Sequence, residues 1–222
     1  MKSNPWHIQI QADTLLYWYS KLTGTKGNAK AAAFYPILFT TSKIHPKMRP
    51  YFINHEIIHF TQQRELWILG AWAYMLYEWL YLRLVKGRSA WDTYLLRSTE
   101  QEAYDNMFDL EYLGKREKFA YKKYWSNKPV VWKDYLKKML QIEEFPIVYE
   151  HTDAPGTIYP EHFHKGKVSF FVTYGSVTFS GGIKKTIKTG ERFDVPVGVH
   201  HSALVGPDGC DYIVGQEIER DA

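Results

Sequence analysis

Apolar residues in the first part of the chain recur at the spacing of helices. Two short β-type runs come first, at residues 6–11 and 34–41, with a helix or turn at 14–22 between them. The small-residue segment TGTKGNAKAAA predicts a loop. Helical periodicity then continues to about residue 142, and the predicted helices cover residues 51–85, 90–113, 117–124 and 131–142. We therefore expect a mostly helical first part.

The pattern changes after residue 142. Short runs rich in β-branched and aromatic residues follow one another, separated by glycine and proline. Examples are FPIVYEH, KVSFFVTYGSVTFS and CDYIVGQEI. Regular short strands with such punctuation are typical of a small sandwich or barrel. The sequence predicts an α+β protein with two domains, residues 1–142 and 143–222.

One segment of the helical part is nearly continuous in apolar and aromatic residues. It is LWILGAWAYMLYEWLYLRLV, residues 66–85, and about 20 apolar residues suffice to cross a bilayer. Glu78 and Arg83 interrupt it, and a carboxylate near the middle of a spanning helix is costly. Two interpretations stay open: a buried helix of a globular domain, or membrane contact, either peripheral or spanning.

Charge and cysteine content limit the partners and the compartment. The net charge of +4 comes from interspersed signs, so no nucleic-acid partner is expected. The most basic run, GKREKFAYKKYW, fits a solvated helix face. Cys210 stands alone, which excludes an intramolecular disulfide and suits a reducing cytoplasm. The polar start MKSNPWHIQIQAD does not fit a signal peptide. We expect a cytoplasmic protein, with membrane association through residues 66–85 as the alternative.

The stretch NHEIIHF contains an H-E-x-x-H motif. Four helical residues turn through about 400°, so His55 and His59 point the same way and are spaced to share one ion. Glu56 lies beside them, where it could act as general base towards a metal-bound water. A third ligand is expected from the downstream segment RSTEQEAYDN, in which only one of Glu100 and Glu102 can face the metal. We predict Glu100.

These residues resemble the gluzincin zinc metallopeptidases, and also a family of small bacterial H-E-x-x-H proteins, over about residues 44–113. The resemblance implies a zinc site formed by His55, His59 and Glu100, with Glu56 as the catalytic base. The family has an aspartate four residues after the glutamate ligand, where this chain has Tyr104, whose hydroxyl could replace it as a hydrogen-bond acceptor. His45 and Tyr104 are the candidate oxyanion donors.

Three further expectations concern the surroundings of this motif. Gln62 and Gln63 are expected to fix neighbouring groups and to take no part in chemistry. The strand FYPILFT could be a sheet edge along which a peptide lies in extended form. Because H-E-x-x-H also occurs by chance in helices, a pair of histidines without a metal remains the alternative.

Two motifs of the second part share a different metal geometry. The stretch GTIYPEHFH contains G-x5-H-x-H, and GERFDVPVGVHH contains G-x5-P-x-G-x2-H. They resemble the two motifs of the cupin superfamily, and the resemblance covers most of residues 145–222, with Gly175 ending the first motif. It implies a double-stranded β-helix barrel with three metal ligands, His162, His164 and His201.

Strand geometry agrees with this ligand set. Histidines two apart on a strand face the same side, and His201 from a partner strand can join them. His200 should point the other way, and Glu161 should not be a ligand. The family's usual glutamate ligand is replaced by Val168. Neutral imidazoles alone suit zinc, nickel, copper or iron(II), so a divalent transition metal of unknown identity is expected.

Two hypotheses about function follow. In the first, a zinc-dependent peptidase-like hydrolase, acting on a peptide or a small molecule, is fused to a metal-binding cupin. In the alternative, the cupin is the functional part, a non-catalytic metal- or small-molecule-binding protein, and the helical domain is degenerate or stabilised by zinc. By analogy with other cupins, a homodimer is the expected assembly.

Overall fold

The computed structural model describes residues 7–23, 29–125 and 132–217. Residues 24–28 of the predicted loop and the first residues of the predicted strand 6–11 and helix 131–142 lie outside these ranges. The chain divides into two compact units, Met1–Val131 and Trp132–Ala222. The elements of the first unit are β1 (Ile8–Gln11), α1 (Asp13–Thr23), β2 (Ala31–Phe34), β3 (Ile37–Thr40), α2 (Arg49–Glu65), α3 (Leu69–Leu80), α4 (Ala90–Leu96), α5 (Ser98–Asn106) and α6 (Tyr112–Lys115).

A three-stranded sheet with the order β1-β3-β2 covers one side of α2. Strand β3 is central, parallel to β1 and antiparallel to β2. The single strand predicted for residues 34–41 is therefore a hairpin, and the alanines assigned to a loop form strand β2. Alanine has a weak strand preference, but pairing of Ala31 with Thr40 and of Ala33 with Leu38 overrides it. FYPILFT is correspondingly not a sheet edge, because β3 is paired on both sides.

The first unit builds a core where this sheet meets α2. Leu38 from β3 packs with Ile57 and Phe60 from α2, and all three are buried. Helix α2 starts with proline in its first turn, where a missing N–H does no harm. Its central part, which holds the H-E-x-x-H motif, is buried on all sides.

The prediction of one helix over residues 51–85 is wrong. Helix α2 ends at Glu65. Trp67 and Ile68 have φ values of 58° and 57°, which lie outside the right-handed helical region, so the helix cannot continue through them. Helix α3 follows, and its last turn passes into a π-helical segment, Tyr81–Val85. None of the described helices is long and apolar enough to cross a membrane.

The interpretation of residues 66–85 as a buried helix is also wrong. Only Ala71 and Glu78 of α3 are buried. By contrast, the side chains of Trp67 and Leu69 are 89% and 81% exposed, and Leu84 is 75% exposed. The segment presents a wide apolar surface instead of filling a core.

The helix predicted for residues 90–113 is broken into α4, α5 and α6. The first break is at Arg97, whose ψ of 133° is extended. The buried carboxylate of Glu78 caps the new helix by accepting the Ser98 N–H at 3.1 Å. The acid that interrupts the apolar segment therefore fixes the start of α5, the helix that carries Glu100. The predicted helix 117–124 is a short 3-10 helix, Ala120–Tyr124.

The second unit begins with a helix and continues as strands. Its elements are α7 (Trp132–Ile142), β4 (Ile147–Asp153), β5 (Ile158–His162), β6 (Val168–Gly181), β7 (Lys185–Lys188), β8 (Arg192–Val195) and β9 (His201–Gln216). The sequence pattern predicts α7 as part of the first domain, residues 1–142. In the structure it packs on β4 and β9, with Leu136 and Leu140 buried, and Leu140 lies against Gly215 of β9. Its apolar face thus belongs to the β-rich unit.

The six strands form one antiparallel sheet that curls into a barrel around an apolar core. The order is β4-β9-β6-β7, with β5 on β9 and β8 on β6. The long strands β6 and β9 pair almost throughout, with register shifts near Gly175. Gly175 has a φ of 74°, and a Cβ there would lie 1.9 Å from the Gly209 carbonyl oxygen, so only glycine fits. The apolar core of the barrel includes Phe170, Val172, Val177, Phe179, Ile187, Val205 and Val214.

Candidate metal centres

Three histidines converge inside the barrel. His162 ends β5 and pairs directly with His201 at the start of β9. Their ring centroids are 4.4 Å apart, and the His164 ring lies 5.1 Å from His162 and 5.2 Å from His201. One nitrogen of each ring lies within 4.8 Å of the others. The structure brings together the three residues that the two motifs predicted.

Hydrogen bonds orient two of these rings for metal binding. His162 Nδ1 donates to the Pro160 carbonyl and His201 Nδ1 to the Val199 carbonyl, both at 2.8 Å. Because a carbonyl can only accept, the proton sits on Nδ1 and Nε2 keeps its lone pair. His201 Nε2 is buried without a hydrogen-bond partner among the described residues, and burial lowers the pKa of His201, which favours the neutral ring. An ion would satisfy this atom.

The histidines line a cavity of about 70 Å³ with mostly apolar walls. Val168 is part of its lining, so the position of the usual carboxylate ligand is apolar. His200 points outwards, as predicted: it is exposed, and its Nδ1 lies 3.8 Å from the exposed Glu161 carboxylate. Neutral nitrogen donors in a largely apolar cavity fit a divalent transition ion.

A second polar group in this cavity, which the sequence did not predict, consists of His151, Asp153 and Tyr159. The Tyr159 hydroxyl donates to Asp153 Oδ1 at 2.7 Å, and His151 Nε2 lies 3.1 Å from the same oxygen. His151 and Asp153 lie outside both motifs, and Tyr159 is one of the five unspecified residues of the first. Side chains alternate along β4, so His151 and Asp153 lie on one face of this strand. This alternation was the sequence signal that could have revealed them.

A second cluster of possible ligands lies in the first unit. The Nε2 atoms of His55 and His59 are 3.1 Å apart, and each lies 3.5 Å from Glu100 Oε2. Glu100 Oε2 is buried without a hydrogen-bond partner among the described residues, while Oε1 accepts from Arg97 at 2.8 Å. Burial disfavours the charge of Glu100, but His59 and Arg97 hold its pKa well below the ordinary value. Two imidazoles and one carboxylate match the donor set of many zinc sites.

Glu102 has a different role, as the helical geometry required. Its carboxylate accepts from Arg116, from the Tyr112 hydroxyl at 3.0 Å and from Gln62 Nε2 at 2.9 Å. Arg116 also binds Glu65, so a buried cation joins α2 to α5. Of the two acids, Glu100 is the one that meets the histidine pair.

Gln62 connects Glu102 to His59. His59 Nδ1 lies 2.8 Å from Gln62 Oε1, and since Gln62 Nε2 already donates to Thr99 and Glu102, the histidine is the donor. This leaves His59 Nε2 for an ion. Gln63 bridges strand backbone, donating to the Ala33 carbonyl and accepting from the Tyr35 N–H, both at 2.8 Å. The prediction that both glutamines fix neighbouring groups is confirmed.

The expected substitute for the gluzincin aspartate is wrong. The Tyr104 ring packs on His55 with centroids 4.5 Å apart, and its hydroxyl lies 3.2 Å from that of Tyr94. His55 Nδ1 is buried without a hydrogen-bond partner among the described residues. A tyrosine ring tilted by 60° therefore contacts His55 where the family has a hydrogen bond.

Glu56 is buried beside the cluster. Burial, reinforced by Glu100 and opposed by His59, raises the pKa of Glu56 to about 8. Tyr19 of α1, which sequence analysis did not select, is within electrostatic range of both acids, and burial raises its pKa to about 12. His45, a predicted oxyanion donor, is exposed, whereas the cluster is buried.

Comparison with known proteins gives only partial structural matches. No protein-family model and no curated protein matches the sequence. A cupin of the RmlC-like type from Shewanella frigidimarina is 23% identical, with a TM-score of 0.30 over 34% of this chain and 68% of that one. The polyketide cyclase RemF from Streptomyces resistomycificus is 26% identical, with a TM-score of 0.30 over 34% and 56%. The DMSP lyase DddQ from Ruegeria pomeroyi is 19% identical, with a TM-score of 0.30 over 34% and 39%.

TM-scores of this size carry no argument about activity or ligand. The cupin-like character of the second unit therefore rests on its two motifs, its strand order and its three converging histidines. These three matches each cover 34% of the chain.

Proposed function

We propose that this chain is a metal-binding protein in which the barrel is the functional half. The barrel would hold a divalent transition ion through His162, His164 and His201 and admit a small molecule to the adjoining cavity. The observation that carries this proposal is the buried Nε2 of His201, which has its lone pair directed to a cluster of nitrogen donors and no hydrogen-bond partner among the described residues.

Each residue of the barrel has a distinct task in this proposal. The three imidazoles present lone pairs, and two of them are held by backbone carbonyls. The apolar wall, including Phe170 and Val195, lowers the local dielectric constant and so strengthens polar contacts inside. A bound dication would supply Lewis acidity to an oxygen ligand.

The second centre is better suited to a structural than a catalytic zinc ion. His55, Glu56, His59 and Glu100 are each at most 9% exposed. Structural zinc sites are closed, whereas catalytic ones keep a position open to substrate. The donors come from α2 and α5, so a zinc ion would cross-link two helices that are distant in sequence.

Metal content separates the two centres. We expect about two ions per wild-type chain by elemental analysis, as two clusters have the required donors. The double variant H162A/H164A should lose only the barrel ion, and H55A only the other. H200A is the matched control, because His200 lies outside the barrel and should retain both ions. Unchanged metal content in H162A/H164A would overturn the proposal for the barrel.

A hydrolase is the second candidate function. One observation favours it: the Glu56 carboxylate is buried within electrostatic range of His59 and Glu100. Glu56 could then take a proton from a metal-bound water and pass it to a leaving amine. A peptide substrate would have to find other partners than Ala33 and Tyr35, whose outward backbone groups are engaged by Gln63.

This candidate is tested with the variant E56Q. If the centre is hydrolytic, the variant keeps its zinc but loses hydrolysis of a fluorogenic peptide library by at least about a hundredfold, the range of a lost general base. Equal turnover by wild type and E56Q, or none by either, would exclude Glu56 catalysis on peptides. E161Q serves as control, because Glu161 is an exposed acid of the other unit.

A further inference from the structure

The cavity of the barrel has a second polar wall besides the three histidines. Asp153, at the end of β4, is its centre, and its side chain is 7% exposed. The Tyr159 hydroxyl donates a hydrogen bond to Asp153 Oδ1 at 2.7 Å, and His151 Nε2 lies 3.1 Å from the same oxygen. The other oxygen, Oδ2, is buried and has no hydrogen-bond partner among the described residues. The carboxylate is therefore fixed on one side and unsatisfied on the other.

Tyr159 and Tyr212 tie this group to the rest of the cavity. The Tyr159 ring centroid is 6.4 Å from that of His162, so the carboxylate and the histidines share one small space. Tyr212 stacks on His151 with centroids 6.0 Å apart. Burial, with Cys210 and Asp153 as further causes, raises the pKa of Tyr212, so the neighbouring phenol stays neutral.

A buried, unpaired carboxylate oxygen calls for a cationic donor. An ionised group removed from water is stable only when a counter-charge or hydrogen bonds replace its hydration. The remaining walls contain Phe170 and Phe179, and aromatic faces attract cations. The histidine side, once it holds a dication, attracts an anionic oxygen. The Asp153 side of the cavity therefore favours a cationic group, and the histidine side, with an ion bound, favours an anionic group.

We propose that the barrel binds a small aminocarboxylate. Its carboxylate would bind the ion held by the three histidines, and its ammonium group would donate to Asp153 Oδ2. This inference rests on the proposed metal-binding function of the barrel. The size of the ligand is limited, because one water needs about 10–15 Å³ of cavity volume. The cavity of about 70 Å³ therefore has room for roughly half a dozen non-hydrogen atoms.

Two matched probes test the proposal by isothermal titration calorimetry on the metal-loaded, full-length protein. They are 3-aminopropanoate and propanoate, which have the same carbon chain and differ in the ammonium group. We expect the amino compound to bind about tenfold or more tightly, the effect of a charge-assisted hydrogen bond. Equal affinity for both probes would overturn the proposal.

The variant D153N assigns the preference to Asp153. Its amide oxygen should stay on the Tyr159 hydroxyl, which places an NH₂ group where the ligand's ammonium would need an acceptor. The preference should then fall below about threefold. D208N is the matched control, since Asp208 is an exposed acid of β9, and it should keep the full preference. A wild-type preference in D153N would mean that the amine binds the ion directly, which would overturn the proposal.

Two measurements keep the result unambiguous. Metal content is determined first: a barrel without an ion would overturn both the proposed function and this inference, whereas an ion with no preference between the probes would overturn only the inference. If D153N fails to fold by circular dichroism, Y159F takes its place. Removing the hydroxyl that orients Asp153 should lower the preference at least about threefold. An unchanged preference in Y159F would contradict the arrangement.

Discussion

The side-chain oxygen of Gln62 lies 2.8 Å from His59 Nδ1, and the amide nitrogen of the same residue donates to Glu102 Oε2 at 2.9 Å. Gln62 thereby sets which nitrogen of His59 carries the proton, without touching the position of an ion. The second centre depends on this residue as much as on its three donors.

Replacing Gln62 should therefore weaken zinc binding. We expect Q62A to reduce the zinc affinity of the helical centre by about 10–100-fold, because His59 loses the partner that fixes its ring. Competition with a chromophoric chelator measures this. Q63A is the control, since Gln63 is equally buried but binds the backbone of Ala33 and Tyr35. A larger loss in Q63A than in Q62A would show that general destabilisation is the cause.

Zinc binding at this centre should release a proton near neutral pH. Burial disfavours a charged His59, but Glu100 and Glu56 outweigh it and raise its pKa to about 9. Below that pH the metal must displace the proton, so affinity should rise as the pH is raised from 6 towards 9. Calorimetry in buffers of different ionisation enthalpy counts the proton. H55A, which lacks a ligand, gives the background, and binding independent of pH would contradict the assigned charge state.

The buried Arg116 should contribute strongly to the stability of the first unit. It joins Glu65 of α2 to Glu102 of α5, and its side chain is 2% exposed. Removing its charge leaves two buried carboxylates without their cation, so R116M should lower the free energy of unfolding by about 3–5 kcal/mol. Urea denaturation measures the loss.

The exposed pair Lys115–Asp109 is the control for that experiment. Its lysine side chain is 66% exposed, so K115M should cost at most about 1 kcal/mol. Similar losses in R116M and K115M would mean that the buried network contributes little.

Val168 should determine the strength and selectivity of the barrel site. It lines the cavity at the position where the cupin motif has a carboxylate ligand. V168E adds a charged oxygen donor, and we expect tighter binding of manganese(II), an oxygen-preferring ion, by about tenfold or more relative to copper(II). Electron paramagnetic resonance titration follows both ions. V168Q, which adds length without charge, should change the ratio much less, and a loss of all binding in V168E would contradict this view of the position.

The apolar face of residues 66–85 should bind an anionic lipid surface. Its exposed side chains include Trp67, Leu69 and Leu84, and the basic residues Arg83, Lys86 and Arg88 follow at one end. Glu78, the acid within this stretch, is buried, so the outward charge is positive. We expect cosedimentation with phosphatidylserine vesicles that weakens with salt.

The double variant W67S/L69S should reduce this binding about tenfold or more, because two large apolar side chains that would be buried in the lipid are removed. W18S is the control, since Trp18 is 63% exposed but lies on α1. Binding of phosphatidylcholine and phosphatidylserine vesicles to the same extent would exclude the electrostatic part, and no binding to either would exclude lipid altogether.

How far the sequence predicted the structure depended on the range of the contacts involved. The two clusters of possible metal ligands were predictable, because His55 and His59 are one helical turn apart and His162 and His164 follow a motif of fixed spacing. Helical geometry required that only one of Glu100 and Glu102 face the histidines, and the resemblance to the gluzincins implied Glu100. Asp153 was missed, because it reaches the cavity only through the pairing of β4 with β9, a contact between positions 57 residues apart at Asp153 and Cys210.

Helix boundaries were predicted least well. Apolar residues continue without interruption through Trp67 and Ile68, so no local signal marks the turn at which α2 ends. The break at Arg97 depends on Glu78, which caps α5 from a distant helix. The sequence pattern predicted that helices are present, but tertiary contacts determine the residues at which they end.

Helix α7 is packed on the strands that follow it, with Leu140 against Gly215 and no space for a side chain at that glycine. A shorter barrel that starts at β4 would lack Leu140 and would leave the surface of β9 around Gly215 exposed to solvent. A recombinant protein that carries the barrel into another polypeptide, whether natural or engineered, must therefore begin upstream of Trp132 so that it includes α7.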